Sequence, residues 1–62
     1  MKTYRCALID FDKKGNNKII FIKYVKGLQN ARKIYNIPVH YSYNAKCFSG
    51  WQGNKNFVIS AL

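Results

Sequence analysis

A two-layer α+β fold is what this sequence predicts: a β-β-α-β-β order in which a four-stranded, mainly antiparallel sheet carries one helix on one face. Three observations point there. Four runs of strand-forming residues are separated by turn residues, one stretch has apolar residues at helical spacing, and the strands on either side of it fall into pairs. With 62 residues the chain is read as a single domain, 1–62, with no visible linker, repeat or low-complexity segment.

The first strand is read from Thr3 to Asp12. Tyr4 through Phe11 is apolar on both sides of a period of two, interrupted by Arg5 and Asp10, as expected of a strand that is central or covered on both sides. Lys13-Lys14-Gly15-Asn16-Asn17 follows; Gly and Asn tolerate positive φ, which suits a hairpin loop of about five residues. Lys18 to Val25 is the second strand, with β-branched Ile19, Ile20 and Ile22.

The helix is expected from Gly27 to Asn36. At 100° per residue, Leu28, Ala31, Ile34 and Tyr35 fall in an arc of about 120°. Gln29, Asn30, Arg32 and Lys33 fill the polar side. Asn36 suits a left-handed C-terminal position, and Pro38 prevents continuation. A helix this short does not persist alone in water, so its stripe must pack on the sheet. Val39 to Asn44 alternates, with Val39, Tyr41 and Tyr43 on one face, and forms the third strand; Ala45-Lys46-Cys47-Phe48 leaves its far end open. Ser49 to Asn56 reads as a polar loop with two glycines around Trp51. Phe57 to Leu62 is the fourth strand, and its last residues are expected to be structural.

Charge dominates the functional reading. Eleven residues are Lys or Arg and two, Asp10 and Asp12, are acidic, which gives a formal net charge of +9. Such an excess speaks to association, and it favours nucleic acid, an anionic membrane surface or an acidic protein surface. Hydrophobic residues at 48% and aromatics at 16% exclude a disordered basic tail. No apolar stretch reaches the ~18 residues of a membrane span, and no signal core follows the N-terminal Lys2 and Arg5, so a cytoplasmic setting is expected, with Cys6 and Cys47 reduced. A domain this small buries little surface, so a homodimer is a natural further source of burial.

Catalytic and metal chemistry find little support. Asp10-x-Asp12 would set two carboxylates on one face of a strand roughly 7 Å apart. There are no further acids to complete a metal or acid–base site, and lysines at 13, 14 and 18 stand nearby to meet them. Cys6, His40 and Cys47 are the soft ligands, without the closely spaced pair that structural zinc sites use. A Cys47–His40 nucleophile pair would need a substrate pocket that a domain of this size rarely has. No enzyme activity, metal or cofactor is expected.

The candidate binding residues are Lys13, Lys14 and Lys18 around the first hairpin, and Lys26, Arg32 and Lys33 along the helix. Lys46 and Lys55 flank the aromatic segment that holds Trp51. An ordinary surface mixes charge signs; this one is nearly all positive, which costs stability through self-repulsion unless a polyanion binds. Tyr41, Tyr43, Phe48 and Trp51 lie among these cations, and basic grooves with aromatic rings hold single-stranded nucleic acids. The leading expectation is a small binding protein that contacts nucleic acid mainly through phosphates, since Lys outnumbers Arg and no base-reading cluster is seen. The alternative is an antagonist that docks on an acidic surface of a host protein, such as a nucleic-acid-handling enzyme. Abundant Lys, Asn, Ile and Tyr suggest an AT-rich genome, and with the small size a bacteriophage or mobile-element product.

Overall fold

Six elements follow one another along the chain: β1 (Thr3–Phe11), β2 (Asn17–Lys26), α1 (Leu28–Arg32), β3 (His40–Ser42), β4 (Cys47–Gln52) and β5 (Lys55–Ala61). They are seen in a computed structural model that describes residues 1–62. The strands form one open antiparallel sheet in the order β2-β1-β5-β4-β3. The domain is therefore mainly β, with five strands where four were expected and a helix of five residues where ten were expected.

The added strand is β4. Its residues Ser49 to Gln52 read as loop because they include a glycine and polar side chains. Gly50 is there for a tertiary reason. The segment from Ile37 to Pro38 crosses over the sheet at this point, and a Cβ on Gly50 would run into the Pro38 carbonyl. The polar loop shrinks to a two-residue turn at Gly53 and Asn54, with Gly53 at φ 62°.

Local backbone chemistry also shortens the helix. Lys33 and Ile34 donate to the carbonyls three residues back, Asn30 and Ala31, so the last turn tightens and the helix does not propagate. Asn36 does not take a left-handed conformation; Lys46 is the one non-glycine residue with positive φ. The stripe itself is correctly placed. Ala31 is buried, Leu28, Ile34 and Tyr35 pack against the core half-buried, and Arg32 and Lys33 face solvent.

The sheet has two unlike faces. Tyr4, Cys6 and Leu8 of β1 share one face with Phe57 and Ile59 of β5 and Phe21 of β2, and the helix and crossover cover it. Phe57 lies at the centre, with ring centroids of Phe21 and Tyr35 at 6.4 and 6.2 Å. The opposite face, which includes Ala7, Ile22, Tyr24 and Trp51, has no element over it. Only eight of the 62 residues are buried, so one face supplies nearly the whole core.

Candidate nucleic-acid interface

A groove of about 170 Å³ opens on the helix-bearing face, beyond the reach of the helix. Register explains it. Tyr41, Phe48 and Ile59 lie side by side across β3, β4 and β5, and in the next row Tyr4 faces Ala61. The small Ala61 leaves a depression between the Tyr4 ring and the Tyr41–Phe48 pair. Tyr41 and Phe48 meet edge-on with centroids 5.0 Å apart, and Tyr41 meets Tyr43 in the same way at 5.0 Å. Tyr43 is 85% exposed.

Two cations flank the groove. Lys2 comes from the segment that leads into β1, and Lys46 from the four-residue turn between β3 and β4. The turn is held by the Ala45 amide, which donates to the Ser42 hydroxyl at 3.3 Å, and Lys46 takes φ 54° at its end. Flat apolar walls with ammonium groups at the rim suit a planar ring attached to an anion. The volume is too small to enclose a larger substrate.

The expected binding residues do not gather into one patch. Lys13, Lys14, Lys18 and Lys55 stand at the first-hairpin end of the sheet, and Lys26 and Lys46 at the other, with Lys2 and Arg5. Arg32 and Lys33 are exposed on and just after the helix. The ends also differ in net charge. Both acids belong to the hairpin end, where two carboxylates offset four lysines. No acidic side chain stands at the groove end, so the net side-chain charge is more positive there.

The two carboxylates part company. Asp10 stays on β1 in line with Lys18 and Lys55 on the neighbouring strands, and its buried Oδ1 has no hydrogen-bond partner. Asp12 lies beyond the strand and organises the loop. Its Oδ1 accepts from the Lys14 and Asn16 amides, both at 2.9 Å, and Oδ2 from Asn16 Nδ2 at 3.3 Å. Desolvation works to raise its pKa; the hydrogen bonds from Asn16, Lys14 and Gly15 outweigh it and hold the carboxyl below its ordinary value. Asp12 thus serves its own loop.

Trp51 is a strand residue and not a loop residue. It sits on β4 on the uncovered side of the sheet, with its ring 5.1 Å from Phe11, and remains 57% exposed. It is therefore on the face opposite the groove. Cys6 is fully buried, and burial pushes its thiol up. His40 pairs with Ser49 while Cys47 pairs with Ser42, one diagonal step apart, about 7–8 Å, which does not make a hydrogen-bonded dyad. No group of three His, Cys, Asp or Glu side chains comes together as a metal site.

Lys2 and Tyr4 were missed as site residues. A signal existed, since Tyr4 keeps the period of two with Cys6 and Leu8. Its neighbours Tyr41 and Phe48 depend on β4, which the sequence concealed. No family model, no curated protein and no solved structure matches the chain. No helix is long and apolar enough to cross a membrane.

Proposed function

We propose that this protein binds nucleic acid without catalysis, mainly through phosphates, with the Tyr4–Tyr41–Phe48 groove as the point where a base is received. The observation that carries the reading is Lys2 and Lys46 at the rim of an aromatic groove, on the end of the sheet that has no acid. Phosphates held by those lysines, with Lys26 at the same end of the sheet, would place a flipped or unpaired base against aromatic walls, where stacking is worth about 1–3 kcal/mol.

Binding of a labelled oligonucleotide across a salt series tests this. Three neutralised phosphates give a slope of log affinity against log salt of about −2.1 for single strands and about −2.7 for duplex. Changing Lys2→Gln and Lys46→Gln together should flatten it by about 1.4 to 1.8. Affinity weaker than about micromolar at low salt for both DNA and RNA overturns the reading. A one-to-one protein complex that survives nuclease treatment would then favour the acidic host protein as partner.

A further inference from the structure

The uncovered face of the sheet is where the molecule departs most from its own average. Ala7, Ile9, Ile22 and Val58 form a contiguous apolar block across β2, β1 and β5. Ile19 and Tyr24 extend it along β2, and the Phe11–Trp51 pair bounds it on the hairpin side. Much of this surface is open: Ile19 is 54% exposed, Ile22 46% and Tyr24 60%. At up to about 250 Å² for a large aromatic side chain, Tyr24 and Trp51, at opposite corners of this face, together leave roughly 300 Å² in water, to which the exposed isoleucines between them add. Soluble monomers seldom leave contiguous apolar patches much larger than a few hundred Å².

The cations avoid this face. Strand alternation puts Arg5 on it and Lys26 at its margin. Lys23 lies opposite Cys6 and so points to the helix side, as do Lys18 and Lys55 in line with Asp10. The remaining lysines and Arg32 lie in turns, on or beside the helix, and ahead of β1. A polyanion laid across the uncovered face would meet two cations and leave most of its charge unanswered. An acidic protein surface would fare no better.

We propose that the uncovered face is a dimer interface, occupied by the same face of a second copy of this chain. The arrangement is a two-fold sandwich of sheets about 10 Å apart, with helices, aromatic grooves and nearly all cations on the outside. Like charges then stay apart while the apolar blocks meet, and the core is depleted of charge as interface cores are. The area is adequate. The five strands outline a flat area of roughly 550 Å² before side-chain relief, which places the face near the lower end, about 600–800 Å² per partner, of standard interfaces. That is roughly an eighth to a sixth of the 4745 Å² surface. A core of eight buried residues gains the most from such burial. This reading stands independently of nucleic-acid binding.

Sedimentation equilibrium on the intact chain tests it, followed across protein concentration at low and high salt. The expected result is twice the 7.2 kDa mass, with dissociation below about 10 µM that added salt does not weaken. Trp51, the sole tryptophan, should shift its emission to the blue as dimer forms. Ile22→Lys puts a charge into the block on both copies and should give a monomer with unchanged far-UV circular dichroism. Tyr24→Lys does the same at a more exposed position, should Ile22→Lys fail to fold. A wild-type monomer up to about 200 µM overturns the proposal, as does a dimer that persists in a folded Ile22→Lys or Tyr24→Lys protein. Trp51 emission that responds to an oligonucleotide and not to protein concentration also overturns it, because the face would then receive bases.

Discussion

The carbonyl of Pro38 occupies the place where any residue but glycine would put its Cβ at position 50. The crossover from the helix to the far edge of the sheet rests on β4 at this point, with Ile37 buried beneath it and Asn56 donating to the Gly50 carbonyl at 2.9 Å. Gly50→Ala should therefore lift the crossover off the sheet. We expect a loss of about 1–3 kcal/mol and a Tm lower by roughly 5–20 °C, read by thermal unfolding. Ser49→Ala, one residue away, should stay within about 0.5 kcal/mol.

Core truncations should rank by burial and not by residue size alone. Phe57 is fully buried at the centre of the sheet, so Phe57→Ala should cost about 3–5 kcal/mol and leave most molecules unfolded. Ile34 is half-buried, and Ile34→Ala should cost about 1–2 kcal/mol, less than a fully buried isoleucine does. Deleting residues 59–62 should abolish the cooperative transition, since β5 pairs with both β1 and β4. Denaturant titration of the three variants checks the order.

Charge removal should act unequally at the two ends of the sheet. Lys13→Gln, Lys14→Gln and Lys18→Gln together remove one more charge than Lys2→Gln with Lys46→Gln. The pair should nevertheless weaken oligonucleotide affinity more, because the hairpin lysines stand beside Asp10 and Asp12. Equal loss per charge in a binding titration would mean that the field of the whole molecule matters and the groove does not.

Acid should loosen the first hairpin loop. The folded pKa of Asp12 lies below its unfolded value, so its contribution is present above about pH 4 and is lost as pH falls through the folded pKa. Protection of the Lys14 and Asn16 amides against exchange, relative to the unstructured chain at the same pH and followed by NMR, should fall over that window. Asp12→Asn should make the protection of these two amides insensitive to it.

The two thiols should differ in reactivity. Cys6 is fully buried with a raised pKa, while Cys47 is half-buried at the start of β4. A thiol reagent should modify Cys47 in the native protein and reach Cys6 only on unfolding, as mass spectrometry would show. The sign at high pH is also set. A thiol whose folded pKa is raised stabilises the fold below its unfolded pKa, and that stability is lost as pH rises through the folded value.

Much of the fold is legible in the residues, because alternation and helical spacing are local properties. Tyr4 to Phe11, Ile19 to Val25 and Phe57 to Ala61 announce strands, and the Leu28–Ala31–Ile34–Tyr35 stripe announces the packed side of the helical segment. The fourth strand was hidden because Gly50 answers to Pro38, which is not its partner in any local pattern. The short helix was hidden because the stripe's spacing does not reveal that Lys33 and Ile34 hydrogen-bond three residues back, which ends the helix at Arg32. The site suffered likewise. Lysines are readable as a type, but their division between two ends of the sheet depends on register, and so does the separation of Trp51 from the groove.

The position of β5 has a consequence for biosynthesis. Tyr4 pairs with Ala61, and the strand that completes the sheet is translated after every other element. At about 5–20 residues per second, the β1–β2 hairpin waits roughly 2–7 s for its central neighbour. Throughout that interval β1 offers an open edge, and the apolar residues on both its faces lie bare. Mutual repulsion among the many lysines works against the pairing of unfinished chains through that edge. The net charge of +9 thus opposes aggregation before the sheet is complete.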